Sequence, residues 1–164
     1  MNIALCGMMG CGKTTVANVF AEQGYEVVDT DKIIVERYGA IDVIFEKFGE
    51  ERFRSIEAQV TAEVAKKYAD AVISLGGGCV LRAENVNNLK AGGKIVYLKA
   101  EASALIERLK GDGARPLLKG GLEERVKSIL SARAEIYESV ADFIVDTDKL
   151  TPQEVAERIK EAVK

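Results

Sequence analysis

The stretch that decides the fold is NIALCGMMGCGKTTVANVF, residues 2–20. It opens on a short apolar run, and apolar residues from Val16 to Phe20 recur at helical spacing near its end. Between them, Gly7 to Thr14 fits the pattern G-x-x-x-x-G-K-[ST], in which a glycine-rich loop joins a strand to a helix. The stretch therefore predicts a strand, a phosphate-binding loop and a helix N-terminus, in that order.

Each residue type in this loop has a chemical reason. Glycines let backbone N–H groups turn inward around a phosphate, and the following helix directs its positive dipole end at the same anion. Lys13 adds a mobile charge for the β- and γ-phosphates, and the Thr14 hydroxyl suits a magnesium ligand. The alternative is a glycine-rich turn that matches by chance, and the intact flanking pattern disfavours it. We expect a nucleoside triphosphate to contact Gly10, Cys11, Gly12, Lys13, Thr14 and Thr15.

The composition is that of a globular protein. The chain has 164 residues, of which 48% are hydrophobic and 30% charged, which predicts a single domain over residues 1–164 and, we expect, a monomer. Its apolar runs are shorter than the roughly 20 residues of a membrane span, and its start lacks the features of a signal peptide, so we expect no membrane association. The net charge of −3 argues weakly against nucleic acid as a partner.

The cysteines and the missing histidines limit the chemistry. Cys6, Cys11 and Cys79 form no C-x-x-C pair and the chain has no histidine, which disfavours a zinc site and excludes histidine-based catalysis. Scattered cysteines of this kind are typical of reduced thiols in a cytoplasmic protein. Cys11 stands beside the predicted helix N-terminus, which predicts a reactive thiol.

Strand and helix patterns alternate along the chain. Strands are predicted at 2–6, 25–28, 71–75, 94–98 and 142–146. Helices are predicted at about 13–23, 32–38, 41–48, 50–69, 82–90, 101–110 and 122–140, with a last one opened by Thr151 and Pro152. This alternation predicts an α/β fold with three layers, a doubly wound, five-stranded parallel sheet between helices.

Residues 111–121 interrupt this alternation. They contain four glycines and one proline around Arg115, which predicts a mobile lid. Arg115 is either a solvated charge or the arginine that such a lid brings to a γ-phosphate.

Two further clusters follow predicted strands. Asp29 and Asp31 close the second strand, and Gly76, Gly77 and Gly78 close the third. Because ligands of such sheets bind outside the carboxyl ends of the strands, we expect both clusters to meet the phosphate loop in one cleft. One aspartate would face a metal and the other a substrate hydroxyl, whereas an Asx turn or helix cap is the structural alternative for Asp31. The glycines indicate backbone that a ligand approaches closely.

Charged residues interrupt two apolar helix faces. Glu57 lies within the face of the predicted helix 50–69, with Arg54 at its edge, and Arg133 lies in the middle of the face of helix 122–140. A buried charge is costly unless it is paired. The pattern indicates either a structural ion pair or a seat for an anionic substrate, in which two arginines bind a carboxylate and Glu57 orients one of them.

Taken together, these residues resemble the shikimate kinase family, within the nucleoside-monophosphate-kinase-like group. The resemblance covers essentially the whole chain and follows the family's order. Its motifs are GMMGCGKTT at 7–15, DTD at 29–31, FRSIE at 53–57, GGG at 76–78, RPLL at 115–118, and Arg133 with Tyr137. The phosphate loop alone is shared by many ATPases, whereas the combined set is specific.

The resemblance implies an activity and assigns roles. It implies transfer of the ATP γ-phosphate to the 3-hydroxyl of shikimate, with Mg²⁺ as cofactor and about residues 32–69 forming the acid-binding helices. It places shikimate against Asp31, Arg54, Gly77 and Arg133, with Glu57 in support. We expect the neighbouring Gly76 and Gly78 to contact the substrate as well. It places the phosphates at Lys13 and Arg115, the metal at Thr14 and Asp29, and the adenine near Arg108. Cys11 departs mildly from the small residue that is usual at its position.

Three other readings compete with this one. A kinase of the same fold could act on another hydroxy acid, such as gluconate. A regulatory GTPase would need the guanine-reading motif N-K-x-D, which the chain lacks. A noncatalytic nucleotide-binding module would not require charges on apolar helix faces.

Overall fold

The computed structural model describes residues 1–111 and 121–164. It contains five parallel strands, which form one sheet in the order β2-β3-β1-β4-β5. The prediction of a five-stranded parallel sheet is confirmed. The strands are β1 (Asn2–Cys6), β2 (Glu26–Asp29), β3 (Ala71–Ser74), β4 (Gly93–Lys99) and β5 (Phe143–Asp146).

Seven α-helices flank this sheet in the described part of the chain. They are α1 (Lys13–Glu22), α2 (Thr30–Tyr38), α3 (Ile41–Lys67), α4 (Ala83–Gly92), α5 (Ala102–Gly111), α6 (Leu122–Val140) and α7 (Pro152–Ala162). Helix α1 packs against α7, whereas α3 packs against α4. Because parallel crossovers are right-handed and the strand order reverses at β1, these two pairs cover opposite faces. The predicted three layers are confirmed.

Several element boundaries differ from the sequence prediction. Helix α2 begins at Thr30, two residues before the predicted start, because Asp29 caps it. Helices 41–48 and 50–69 are joined into α3, but Gly49, with φ 82°, breaks the helical geometry between them. A 3-10 turn at Cys79–Leu81, which the sequence did not predict, follows the three glycines.

The sheet forms the centre of the core. All of β1 and β3 is buried, and the middle of β4 is buried on both sides, as expected for parallel strands covered by helices. The reversal of strand order at β1 opens a crevice at the carboxyl ends of β1 and β3, where such sheets bind ligands. No helix among the described residues is long and apolar enough to span a bilayer.

Candidate active site

The crevice is a cleft of about 780 Å³, and the clusters of site residues predicted from the sequence line it together. The phosphate loop, the two aspartates after β2 and the three glycines after β3 all line it, as expected from the sequence. Its lining is Met9, Gly10, Gly12, Lys13, Thr14, Thr15, Asp29, Asp31, Ile41, Phe45, Glu50, Phe53, Arg54, Glu57, Ser74, Leu75, Gly76, Gly77, Gly78, Arg108, Arg125 and Arg133.

The phosphate loop has the backbone conformation that its glycines allow. Gly10 and Gly12 have φ of 83° and 98°, in the left-handed region that disfavours other residues. Gly12 is the N-cap of α1, so the first turn of this helix faces the cleft with Lys13, Thr14 and Thr15. A helix N-terminus in this position presents backbone N–H groups and a positive dipole end to an anion.

Lys13 bends back over the loop from the first turn of α1. Its Nζ donates hydrogen bonds to the carbonyl oxygens of Gly7 at 2.6 Å and Met8 at 3.1 Å. These contacts hold the ammonium group at the mouth of the loop, where the sequence places the β- and γ-phosphates. Thr14 and Thr15 are exposed toward the same space.

The burial of Cys11 argues against its predicted reactivity. Its side chain is 2% exposed, and its Sγ lies 3.8 Å from the Lys13 Nζ, beneath the loop. Reactive cysteines are partly exposed, whereas buried ones are inert. Cys11 lines a smaller neighbouring cavity, not the main cleft.

That smaller cavity, of about 240 Å³, lies on the other side of the phosphate loop. Arg108 lines both cavities, and its Nη1 donates a hydrogen bond to the Gly10 carbonyl at 3.1 Å. The remaining walls are largely apolar and come from the loop, from α1 and from the start of α7. They include Val16, Thr147, Leu150, Pro152 and Val155.

The two aspartates after β2 have different positions. Asp29 caps α2, since its Oδ1 accepts a hydrogen bond from the Lys32 N–H at 3.1 Å. The alternative that made Asp31 the helix cap is therefore wrong, because Asp31 lies inside the first turn of α2. Both side chains line the cleft, and the Asp31 carboxylate lies directly over Gly76.

The three glycines allow close approach of site side chains. A Cβ atom added to Gly76 would lie 2.7 Å from Asp31 Oδ1 and 2.9 Å from Glu57 Oε2. A Cβ on Gly78 would lie 2.5 Å from the Arg54 guanidinium nitrogens, and one on Gly77 would lie 3.5 Å from Arg133 Nη1. The sequence predicted close approach by a ligand, but in the structure the acidic and basic residues of the site make this approach.

Arg54 and Glu57 form an ion pair on α3. Arg54 Nη1 donates to Glu57 Oε1 at 2.8 Å, and the Glu57 side chain is only 1% exposed. Burial raises the pKa of Glu57 above its usual value, although the Arg54 guanidinium opposes that shift. Glu57 Oε2 is buried and has no hydrogen-bond partner among the described residues.

Arg133 approaches the same site from α6. It is half-buried, lines the cleft beside Gly77, and adds a favourable charge near Glu57. One turn later, the Tyr137 hydroxyl donates a hydrogen bond to the Gly77 carbonyl at 2.6 Å, and burial raises the pKa of this phenol to about 12. Tyr137 thus fixes α6 against the glycines and keeps Arg133 at the cleft.

Possible metal ligands lie at the phosphate end. The described residues contain no cluster of three or more His, Cys, Asp or Glu side chains that would hold an ion by themselves. Thr14 and Asp29 both line the cleft, and Asp29 uses only its Oδ1 as the helix cap. A hydroxyl and a carboxylate beside a triphosphate site fit magnesium, which keeps most of its ligands from water and phosphate oxygens.

Comparison with known proteins agrees with this geometry. The family model described as shikimate kinase matches residues 9–164. The chain is 47% identical to the shikimate kinase of Thermodesulfovibrio yellowstonii over 161 residues, which cover 96% of this chain and 92% of the relative. The chain belongs to the shikimate kinase family. It is also 44% identical to the shikimate kinase of Caldicellulosiruptor bescii, again over 96% of this chain and 92% of the relative.

Solved structures of the family have the same fold. A shikimate kinase from Acinetobacter baumannii, solved in complex with shikimate, superposes with a TM-score of 0.89 at 36% identity. The match covers 98% of this chain and 90% of the other. The solved structures therefore support the family assignment, and the fold is that of a P-loop kinase.

Some cleft residues were missed by sequence reasoning. Arg125 on α6 lines the cleft. It precedes Arg133 by about two helical turns, with Ile129 between them. Its spacing from Arg133 is a signal that could have found it. Ile41 and Phe45 form an apolar wall of the cleft. From the sequence, both residues are indistinguishable from ordinary core residues. Arg115 and the rest of the predicted lid from 112 to 120 lie outside the described residues.

Proposed function

We propose that this protein transfers the γ-phosphate of ATP to the 3-hydroxyl of shikimate, which gives shikimate 3-phosphate and ADP. One observation carries the proposal: a phosphate loop and a pair of arginines line the same cleft. The loop suits the donor, and Arg54 with Arg133 suits the carboxylate of the acceptor. A small hydroxy acid held between them presents its hydroxyl to the phosphate end.

At the donor end, the chain binds the triphosphate mainly through backbone groups and one mobile charge. Residues Gly10 to Thr15 direct N–H groups at the phosphates, and Lys13 moves from the Gly7 and Met8 carbonyls to the β- and γ-phosphate oxygens. Arg108 and the smaller cavity hold the adenine, since that cavity joins the loop and has largely apolar walls. Arg115 stays a prediction from the sequence for covering the γ-phosphate.

Thr14 and Asp29 are proposed to hold the magnesium ion. With ATP bound, magnesium supplies positive charge to the β- and γ-phosphate oxygens and so reduces their repulsion toward an incoming hydroxyl. The Thr14 hydroxyl and the Asp29 carboxylate would hold the ion, and Asp29 would keep its Oδ1 as the cap of α2.

At the acceptor end, three charged residues orient the acid. Arg54 and Arg133 bind the shikimate carboxylate, and Glu57 holds the Arg54 fork in place by a charge-assisted hydrogen bond. The Gly76, Gly77 and Gly78 backbone forms the floor on which the ring lies. The apolar edge of the ring would face Ile41 and Phe45. This apolar wall disfavours binding of ligands that are polar on every side.

Asp31 is proposed to accept a hydrogen bond from the attacking 3-hydroxyl. It lies at the cleft between the acid-binding residues and the phosphate loop, above Gly76. Phosphoryl transfer through a loose transition state depends on alignment and charge neutralisation more than on early proton removal. Asp31 therefore aligns the oxygen first and takes its proton late in the transfer.

A coupled assay of ADP release tests the proposal. With wild-type protein, ATP and magnesium, we expect shikimate to raise ADP release far above the rate without an acceptor, and gluconate to leave it near that rate. ADP release that shikimate does not stimulate would contradict the proposal, and stimulation by gluconate alone would favour the rival kinase. The family match and relatives do not favour gluconate.

Two predictions about the cellular form of the enzyme remain proposals. We propose a monomer, because one chain supplies both the phosphate loop and the acid-binding arginines of the cleft. We also propose a cytoplasmic enzyme, since its three cysteines are free and buried. Light scattering of the purified protein with and without ATP tests the first proposal.

A further inference from the structure

A buried polar contact lies behind the acid-binding end of the cleft and takes no part in the roles assigned above. The Thr61 hydroxyl on α3 and the Cys79 thiol after the three glycines are 3.3 Å apart. Both side chains are 0% exposed. Thr61 lies one helical turn after Glu57, and its hydroxyl donates a hydrogen bond to the Glu57 carbonyl at 2.7 Å.

The direction of these hydrogen bonds follows from counting protons. A hydroxyl has one hydrogen, and Thr61 gives it to the Glu57 carbonyl, so the Cys79 thiol must be the donor to Thr61. Burial raises the pKa of Cys79 to about 12, which keeps the thiol protonated at neutral pH. The result is a chain from the Cys79 S–H through the Thr61 O–H to the Glu57 carbonyl.

The Cys79 end of this chain is fixed to the glycines. Its backbone N–H donates to the Gly76 carbonyl at 3.1 Å, and its own carbonyl accepts a hydrogen bond from Asn85 Nδ2 at 2.8 Å. Cys79 directly follows Gly78 and begins the 3-10 turn. The Thr61–Cys79 contact therefore joins α3, which carries Arg54 and Glu57, to the backbone that forms the floor of the acid site.

The spacing between these two elements has little tolerance. A Cβ atom added to Gly76 would lie 2.9 Å from Glu57 Oε2, and one added to Gly78 would lie 2.5 Å from the Arg54 guanidinium nitrogens, so neither position has room for a single extra carbon. A small shift of α3 would change the distance and orientation of the Arg54 guanidinium relative to the glycine backbone. A hydrogen bond between buried groups resists such a shift because an unpaired partner would remain desolvated.

We propose that Thr61 and Cys79 are positioning residues for shikimate binding, which set the distance between the Arg54–Glu57 pair and the glycine floor. This inference rests on the proposed function, since it concerns the acceptor end of the same cleft. Neither side chain reaches the cleft, so both act through Arg54, Glu57 and the glycine backbone.

Steady-state kinetics of Thr61→Val test this role, because valine keeps the shape and removes the hydroxyl. Thr61→Val removes the hydroxyl from both of its buried hydrogen bonds, and we expect the KM for shikimate to rise about 5- to 10-fold. The KM for ATP should stay within about 2-fold of wild type. Thr61→Ser keeps the hydroxyl, so its KM for shikimate should equal that of wild type. Cys79→Ala removes only the thiol–hydroxyl contact and should raise the KM for shikimate by a smaller factor. The double variant should be no worse than Thr61→Val, which already lacks that contact.

Val64→Ala is the matched control, because Val64 is buried on the same helix three residues later and packs in the core. It should lower the melting temperature and leave the KM for shikimate unchanged. If Thr61→Val and Cys79→Ala likewise lower only the melting temperature, the contact is structural and the proposal is overturned. If Thr61→Val does not fold, the KM values for shikimate of Cys79→Ala and Cys79→Ser are compared instead. Serine keeps a hydrogen-bond donor, so only Cys79→Ala should raise this KM. Wild-type protein without shikimate-stimulated ADP release would instead overturn the proposed function and this inference with it.

Discussion

The two ends of the cleft are built in different ways. The phosphate end comes from one continuous stretch, in which backbone N–H groups and Lys13 follow one another along the chain. The acid end comes from side chains that are far apart in sequence, from Asp31 through Arg54 to Arg133. The first needs only a local backbone conformation, whereas the second needs α2, α3, α6 and the glycines to be packed correctly.

This difference predicts how each end responds to change. The phosphate end has one charged side chain at its centre, so its removal should act on the chemistry and spare the fold. The acid end has a buried ion pair and very short distances between side chains and glycine backbone, so substitutions there should act on shikimate binding.

Lys13→Met should have the largest effect. Loss of the ammonium group removes charge where it develops in the transition state, and kcat should fall by at least about 10²-fold. The melting temperature should change little, because in the described part of the chain Lys13 contacts the Gly7 and Met8 carbonyls and the Cys11 sulfur rather than a charged partner. ADP-release kinetics and thermal unfolding measure the two effects. Lys66→Met, at an exposed position on α3, is the control, and near-normal turnover of Lys13→Met would contradict the assignment.

Arg133→Ala should have the next largest effect, at the other end. Removing one partner of a desolvated charge pair costs roughly 2–5 kcal/mol, so the KM for shikimate should rise by at least about 30-fold. The KM for ATP should stay near that of wild type. Lys127→Ala, on the exposed side of the same helix, should change neither constant. If Arg133→Ala lowers the melting temperature and leaves the KM for shikimate unchanged, the result would support the structural ion-pair interpretation instead.

Gly78→Ala should have an intermediate effect. The new methyl group would overlap the Arg54 guanidinium, and because that group is the end of a flexible side chain, it would swing away from Glu57. We expect the KM for shikimate to rise about 10-fold with little loss of stability. Gly92→Ala, where the added carbon meets its nearest atom at 3.5 Å, is the control and should leave the kinetics unchanged.

Glu57→Gln should have the smallest effect at neutral pH and the most distinctive pH dependence. In the wild type, acidification protonates Glu57 and weakens its hold on Arg54, so the KM for shikimate should rise as the pH falls through a midpoint above the usual glutamate value. Glu57→Gln should show a KM raised only a few-fold, without that dependence. A wild-type midpoint at or below 4.5 would contradict the role of burial.

The same shift fixes the sign of the stability change. Because the folded protein binds the Glu57 proton more tightly than the unfolded chain, this group favours the folded state below its unfolded pKa. That contribution is lost as the pH rises through the raised folded pKa. Melting curves should therefore show Glu57→Gln gaining stability relative to wild type across this window, from acid toward neutral pH.

Much of the fold followed from local sequence patterns. The strands, the parallel sheet and the break near Gly49 were predicted, because buried parallel strands and helix faces have distinct periodicities. Helix caps and short turns were harder. The start of α2 and the 3-10 turn at Cys79–Leu81 depend on single hydrogen bonds such as Asp29 to Lys32, which no periodicity records.

At the site, the residues were easier to predict than their contacts. Glu57 and Arg133 stood out because each placed a charge on an apolar helix face. The close approach of Asp31 and Glu57 to Gly76 and of Arg54 to Gly78 could not be predicted, because it depends on how separate elements pack. The burial of Cys11 could not be predicted for the same reason. Arg125 was missed because an arginine at an exposed helix position is ordinary, and only its spacing from Arg133 distinguishes it.

The sequence by itself determined the phosphate loop, since a strand, a loop of required glycines and a helix start are encoded within one short stretch. Only the tertiary structure decided that Arg54, Glu57 and Arg133 meet across the glycines, and that Thr61 and Cys79 join the two elements behind them. The physical reason is that backbone conformation is set by neighbouring residues, whereas burial, ion pairing and close approach are set by residues that only folding brings together.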